Sequence, residues 1–346
     1  MPEIIVVGAG VIGLATALSL AESNASHKIT IVASHFPTDQ LTSAYTSPWA
    51  GAHFRPFPSV DSKAFADSQL TRVTLKRFEK LAALEPESSV KFMEGVDLLE
   101  EKGLYDVAAK GYYEDIAQLR ELTKDELPGG VEAGFSYRTW VLNAPLFIQF
   151  LQRKLEFEHG VVFQRRTVNS LKELHVDHPG AIIVNCSGRG VLYNGGLDPE
   201  TFPIRGQTLL VKPPASFKQT NTVTHQAKDG KWTFYIPRPL NGGVILGGTK
   251  QIGDDLDGVR ENDTAEIIER ARKLYPELFQ RDGTLDIRKI NVGFRPARNG
   301  GVRVELERID GATVVHAYGA GGMGYELSFG VGARVVQLLA SRQSKL

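Results

Sequence analysis

The feature that most constrains the fold is the apolar β-branched run Ile4 to Val7, which leads directly into Gly8-Ala9-Gly10-Val11-Ile12-Gly13. Apolar positions Leu14, Ala17, Leu18 and Ala21 follow at helical spacing. That order is strand, tight turn, helix. Gly8 permits the turn, Gly10 lets the main chain approach a pyrophosphate, and Gly13 lets helix and strand pack closely, with phosphates at the helix N-terminus. The same logic returns near the other end, in "TVVHAYGAGGMGYELSFGVGARVVQLLASR". One ligand held by both turns makes the nucleotide domain discontinuous in sequence. A second strand, "KITIVA", ends at Ala33, where an acid for a ribose is expected, but Ala33-Ser34-His35 offers no carboxylate. This departure weakens an ordinary NAD reading.

The rest of the chain does not continue a simple βαβ alternation. The stretch Asp61 to Leu84, with Phe65, Leu70, Val73, Phe78 and Leu81 recurring, predicts one amphipathic helix. "LNAPLFIQFLQRKLEFEHG" predicts another, with Asn143 as N-cap, Pro145 in the first turn and Gly160 as stop. "VVFQRRTV" and "AIIVNCSG" read as strands, Pro203 to about Asp255 as β-rich, and "DTAEIIERARKLY" as a helix capped by Asp263 or Thr264. With 346 residues, two packed domains are expected. The 40 basic and 40 acidic side chains cancel, so no global field steers the chain to nucleic acid or an anionic membrane. The single Cys186 excludes an intrachain disulfide and a thiol metal cluster, and suits a reducing compartment. No apolar run approaches a membrane span, no signal peptide is read at the N-terminus, and no metal site is expected. The terminal Ser344-Lys345-Leu346 matches the tripeptide read by the peroxisomal import receptor, so the peroxisome matrix is the expected location.

The pieces "VVGAGVIGL", "SPWAGAHFRP", "PIRGQTLLVK", "YIPRP", "GGTKQIGD", "NVGFRPAR" and "VVHAYGAGGMGY", with the terminal "SKL", span nearly the whole chain in one order. In them the sequence resembles the peroxisomal flavin-dependent D-amino-acid oxidases and their D-aspartate oxidase branch. The resemblance implies an α/β fold with a Rossmann-like FAD-binding domain, built from 1–50, 145–202 and 285–346. It pairs this with an α+β substrate-binding domain, built from 51–144 and 203–284, whose β-sheet roofs the flavin. Its implied cofactor residues are Gly8, Ala9, Gly10, Val11, Ile12, Gly13, Ser34, His35, Thr42, Ser43, Ala50, Gly51, Val168, Ser187 and Gly188, then Gly321, Gly322, Met323, Gly324, Tyr325 and Glu326 along the flavin ring. Thr42 and Ser43 fall near the phosphates, and Val168 meets the adenine through its main chain. Gly330 and Gly332 are read as helix-packing glycines instead.

Oxidising an α-amine moves the Cα hydride to the flavin, so the protein contributes orientation, electrostatics and exclusion of water rather than a base at Cα. The α-carboxylate needs a planar fork, and Arg295 in "NVGFRPAR" occupies the family's carboxylate-binding position. Gly322 is expected to orient the amine through its carbonyl. A family tyrosine that also reaches the carboxylate falls on Phe234 by count from Pro237, with Tyr235 one residue later; strand alternation lets only one of them face the substrate. Lys250, directly after "GGT", matches the basic residue of D-aspartate oxidases, and His53 and Arg55 lie in a strip that approaches the same pocket. Three cations around one small cavity favour a substrate with a side-chain carboxylate, D-aspartate or D-glutamate, oxidised by O2 to 2-oxo acid, ammonia and hydrogen peroxide. Two alternatives stay open, an oxidase of neutral D-amino acids and a catalytically silent flavin- or NAD-binding scaffold. A homodimer is also left open.

Overall fold

In the computed structural model, which describes residues 3–103, 111 and 113–343, the first βαβ unit forms as its pattern requires. Strand β1 (Ile4–Val7) passes through helix α1 (Val11–Ser23) to β2 (Ile29–Ala33), and β1 and β2 run parallel with Ile4 opposite Ile29. Helix α2 (Ser62–Leu84) and strands β3 (Lys91–Leu99), β4 (Arg120–Glu121) and β5 (Ala133–Val141) come next. Helix α3 (Ala144–Arg153) leads to β6 (Val162–Arg165), and the short α4 (Leu171–Asp177) to β7 (Ile182–Asn185). The strand-rich stretch holds β8 (Thr201–Val211), β9 (Asn221–Gln226), β10 (Trp232–Pro237), β11 (Val244–Gly247) and β12 (Gln251–Ile252). Helix α5 (Glu261–Leu274), strands β13 (Ile287–Arg298), β14 (Arg303–Ile309) and β15 (Ala312–Tyr318), and helix α6 (Gly324–Gln343) follow. The terminal Ser344-Lys345-Leu346 lies outside the described residues.

These strands make two sheets. The first, ordered β14-β15-β7-β1-β2-β6, is parallel except at the β14–β15 hairpin. The second has the order β12-β8-β11-β10-β9-β3-β5-β4, with β13 along the other edge of β8. Because Arg298 pairs with Thr201 and Gly293 with Gly206, β13 belongs to this second sheet. The last segment feeding the first sheet therefore opens at Arg303, not near residue 285.

Helix α6 lies between α1 and α2 at distances only glycine allows. A β-carbon on Gly332 would sit 2.5 Å from Ser19 Oγ, and one on Gly330 would sit 2.2 Å from the Leu70 carbonyl oxygen. Helix α2 departs from its apolar reading. Val73 is exposed, whereas Ser68, Thr71, Arg72 and Thr74 are buried beside Phe78 and Leu81. Each polar member finds a local partner, Thr71 Oγ1 donating to the Ser68 carbonyl and Arg72 to the carbonyls of Gly111 and Glu114. Helix α5 starts before the residues expected to cap it. Asp263 instead pairs with the buried Arg205, and Thr264 accepts from Gln207. The outer face of the second sheet packs on α5, with Leu209, Leu246 and Tyr235 against Ile267, Ala271 and Tyr275. Its inner face is left for the segment between Tyr45 and Phe57.

No helix among the described residues is long and apolar enough to cross a membrane, and no group of His, Cys, Asp and Glu among them could hold a metal ion. Burial pushes the Cys186 thiol up to about 12, leaving it unreactive.

Candidate active site

The first glycine turn is built by close approach. Gly8 has φ +103° and would place a β-carbon 2.5 Å from the Cys186 carbonyl oxygen, and Gly13 would place one 1.9 Å from the Gly8 carbonyl oxygen. A β-carbon on Gly10 would sit 3.2 Å from Ser47 Oγ, which accepts from the Val11 N–H at 3.0 Å. Ser47 thus shares the helix N-terminus, where unpaired N–H groups favour an anion. The second glycine turn, Gly321–Met323, lies opposite it, and a β-carbon on Gly324 would be 3.6 Å from Val11 Cγ1.

The segment around Ser47 fastens these turns to the second sheet. Tyr45 donates to the Ala9 carbonyl at 2.6 Å, Thr46 to Phe294 at 2.7 Å, and Tyr325 to the Ser47 carbonyl at 2.9 Å. Buried Arg238 donates to the carbonyls of Pro48 and Ala50, and burial lowers its pKa to about 10. Ala50 and Gly51 are thereby held against the inner face, where a Gly51 β-carbon would touch Ile236 Cδ1 at 3.0 Å. Ser47 and Arg238 lie in the quoted pieces "SPWAGAHFRP" and "YIPRP", but nothing local in those pieces shows that they fasten this segment.

Arg295 lies flat over Gly206. A β-carbon on that glycine would fall 2.6 Å from one guanidinium nitrogen, and one on Gly322 would fall 3.6 Å from Arg295 Cδ. The guanidinium donates to the Thr249 carbonyl at 3.2 Å and has no acidic partner among the described residues; burial alone lowers its pKa. A half-buried cation without a counter-charge is ready to take a planar carboxylate through two parallel bonds. A glycine inside the strand "PIRGQT" is itself a signal of such close approach.

Trp232, Phe234 and Ile236 alternate onto the inner face, and Phe234 packs over Gly247. Tyr235 faces the other way. Its hydroxyl donates to Asn221 Oδ1 at 2.8 Å and its ring meets Tyr275 edge-on at 4.9 Å, so it is a core residue beside α5 and cannot reach a carboxylate on Arg295. The three expected cations also divide. Arg55 is buried, chelated by Asp97 at 2.7 to 3.1 Å, and sandwiched between Phe57 and Trp232 at 4.7 Å from each ring. Its charge is met within the protein. His53 contacts Thr222 Oγ1 at 3.2 Å, and burial, assisted by Arg55, lowers its pKa to about 3. It is a neutral imidazole. Lys250 alone of the three is exposed, its ammonium 5.7 Å from the Trp232 ring.

The remaining expected contacts divide similarly. Ser34 Oγ bonds His35 Nδ1 at 2.9 Å, and His35 stacks on Tyr45 beside the first turn. Arg165 chelates Asp39 and donates to the Ser34 carbonyl, filling the end of β2 where a ribose-binding acid was missing. Thr42 is exposed and accepts Trp49 Nε1–H through its carbonyl, and Ser43 is half-buried nearby. Val168 packs against the core under α4. The Ser187 hydroxyl is used within its own turn, donating to Asn185 and accepting from Val191, while Gly188 accepts the Gly319 N–H. Ala9 and Val11 are buried, and Ile12 and Met323 are partly so. Tyr325 is a strut rather than a wall of a ring site. Glu326 is buried with Oε2 unpartnered, and burial pushes its pKa up to about 8 against the pull of Arg55 and Arg72.

The family model described as DAO, FAD dependent oxidoreductase, matches residues 3–338. The chain belongs to that family. FAD is its cofactor, and the residues fit it: Gly8 and Gly13 of the first turn leave no room for a β-carbon, the α1 N-terminus suits a pyrophosphate, and Glu326 presents an unpaired polar atom just after the second turn. A D-aspartate oxidase of Talaromyces thermophilus is 37% identical, covering 99% of this chain and 97% of that protein. A D-amino-acid oxidase of Schizosaccharomyces pombe is 36% identical, covering 97% and 95%. Glycine oxidase from Bacillus cereus has a similar structure, with TM-score 0.70 at 17% identity over 99% of this chain and 96% of that one. That likeness establishes the fold: an α/β flavoenzyme architecture with a Rossmann-like cofactor layer and a substrate-side sheet.

Proposed function

We propose that this oxidoreductase oxidises D-amino acids with O2, preferring those with a side-chain carboxylate, and releases 2-oxo acid, ammonia and hydrogen peroxide. Its two relatives of similar identity act, by name, on D-aspartate and on D-amino acids. FAD, when bound, accepts the Cα hydrogen and two electrons of the amine. Arg295 grips the α-carboxylate, Gly322 orients the amine through its carbonyl, and Phe234 walls the pocket from the sheet. The six-stranded sheet with α1 and α6 forms the cofactor-binding body, and the second sheet closes the site against water.

The observation that carries the acidic preference is the position of Lys250. It directly follows Thr249, whose carbonyl takes an Arg295 N–H, so two cations flank one short stretch of main chain over Trp232. A dicarboxylic substrate satisfies both. One observation favours neutral substrates instead, the commitment of Arg55 to Asp97. Oxygen uptake with D-aspartate, D-glutamate, D-alanine and L-aspartate separates the readings. D-aspartate should be fastest and the L-isomer inert; a D-alanine rate above that for D-aspartate would return the chain to neutral substrates. We assign the enzyme to the peroxisome on the terminal Ser344-Lys345-Leu346, testable by the distribution of a fluorescent fusion with and without the tripeptide.

A further inference from the structure

Strand β12 is two residues long and lies between Gly248 and Gly253. Its ladder to β8 pairs Gln251 with Arg205 and Ile252 with Ile204. A slip of one residue in so short a ladder would exchange the faces of Lys250 and Gln251. Continued by one residue, the observed register sets Lys250 beside Gly206, on which the Arg295 guanidinium rests. Paired residues share a face, so Gln251 points with Arg205 toward α5, and Lys250 points the other way, its ammonium 5.7 Å from the inner-face ring of Trp232.

Gln251 is gripped on that outer face. Its Oε1 accepts from Arg205 Nη1 at 2.7 Å, and its Nε2 donates to the Asp263 carboxylate at 3.1 to 3.2 Å. Arg205, fully buried, pairs with the same carboxylate at 3.0 Å, so the three side chains close a ring between β8, β12 and α5. An amide meets both neighbours at once, accepting from the guanidinium and donating to the acid. Helix α5 also holds the turn before Lys250, where Arg270 donates to the Gly248 carbonyl at 3.3 Å and to Thr233 Oγ1 at 3.0 Å.

We propose that Gln251 is a positioning residue for substrate choice: held between Arg205 and Asp263 on the outer face, it locks the register of β12 so that Lys250 stays on the inner face beside Arg295. Arg295 then meets the α-carboxylate and Lys250 the side-chain carboxylate from the two edges of β8, across Gly206. A substrate without the second carboxylate makes no use of this arrangement. Loss of the lock therefore acts on acidic substrates, and through binding rather than turnover. The use of Lys250 rests on the proposed function; the register lock does not.

Hydrogen exchange and kinetics on the holoenzyme test the two parts. Gln251→Met keeps the length of the side chain and loses both bonds, so amide exchange in the peptide spanning residues 248–253 should speed up. Gln251→Glu combined with Asp263→Asn swaps acid and amide between the two positions and should restore slow exchange, whereas Gln251→Glu alone, with two carboxylates in contact, should not. Exchange in Gln251→Met as slow as in the wild type overturns the lock. Kinetically, Gln251→Met should raise KM for D-aspartate about fivefold, the size expected of one hydrogen bond, with kcat kept and D-alanine within about twofold. The swapped pair should recover. In a Lys250→Met background, Gln251→Met should cost D-aspartate nothing further. An unchanged KM, a loss shared equally by D-alanine, or a full additional loss in the Lys250→Met background overturns the link to Lys250. A Lys250→Met enzyme that keeps its preference for D-aspartate would refute the proposed function instead, and the exchange result would still decide the lock.

Discussion

The guanidinium of Arg295 rests on the main chain of Gly206, two strands paired so that Gly293 stands opposite Gly206 and the side chain of Arg295 folds back over it. A single methyl group at residue 206 would fall 2.6 Å from a guanidinium nitrogen, so the fork must move. Gly206→Ala should lower kcat/KM for D-aspartate and D-alanine alike, by about tenfold or more, because charge-assisted hydrogen bonds of ~1.5–3 kcal/mol are misaligned. Arg295→Ala should do at least as much, and both variants should still purify yellow. Steady-state oxygen uptake beside the flavin spectrum checks this; a Gly206→Ala enzyme with wild-type kinetics would remove Arg295 from the carboxylate.

Lys250 is the cation whose charge is not met within the site. Lys250→Met should lower kcat/KM for D-aspartate by roughly tenfold and leave D-alanine nearly unchanged, since a hydrogen bond between its ammonium and the side-chain carboxylate, both charged, contributes ~1.5–3 kcal/mol. Arg55→Met should behave differently. It strands Asp97, which is fully buried, so loss of thermal stability should precede any change in specificity. Kinetics on both substrates, with melting curves for both variants, distinguish the two cations.

Tyr235 and Phe234 test which face of β10 looks at the substrate. Tyr235→Phe should cost about 1 kcal/mol of stability through the lost bond to Asn221 and leave kcat/KM within about twofold. Phe234→Ala should raise KM with a smaller effect on stability. The reverse pattern would put the tyrosine in the pocket.

Glu326 carries a pH signature. Its folded pKa, near 8, lies above the ordinary glutamate value of 4.5, so between these values the folded protein holds a proton that the unfolded chain has released. The contribution of Glu326 is therefore fully present below about pH 4.5 and is lost as pH rises toward 8, a fall on the order of a few kcal/mol. Glu326→Gln should flatten the stability profile across that window. Thermal melts of the two proteins from acid to mildly alkaline pH would show it; parallel profiles would mean that Arg55 and Arg72 hold the carboxylate ionised.

What could be read from the sequence was what depends on neighbours a few residues away. Gly8, Gly10 and Gly13 announce a turn because their small size and the conformation of Gly8 are local needs, and the α6 glycines 330 and 332 announce close helix packing for the same reason. Arg295 and Lys250 were visible as chemistry with few competitors in their motifs. Tertiary structure decided the rest. Strand alternation restricts Phe234 and Tyr235 to opposite faces, but only the packing of α5 against one face determines which residue is left for the site. Arg55 looked like a substrate cation because Asp97, its counter-charge, lies 42 residues further along and is brought to it only when β3 joins the second sheet. His53 is a neutral imidazole for the same reason: burial against the second sheet lowers its basicity, and that burial is not present in the strip that carries it. Charge state and facing depend on contacts between segments far apart in the chain, and those exist only after the second sheet has assembled around the strip carrying His53 and Arg55 and packed on α5.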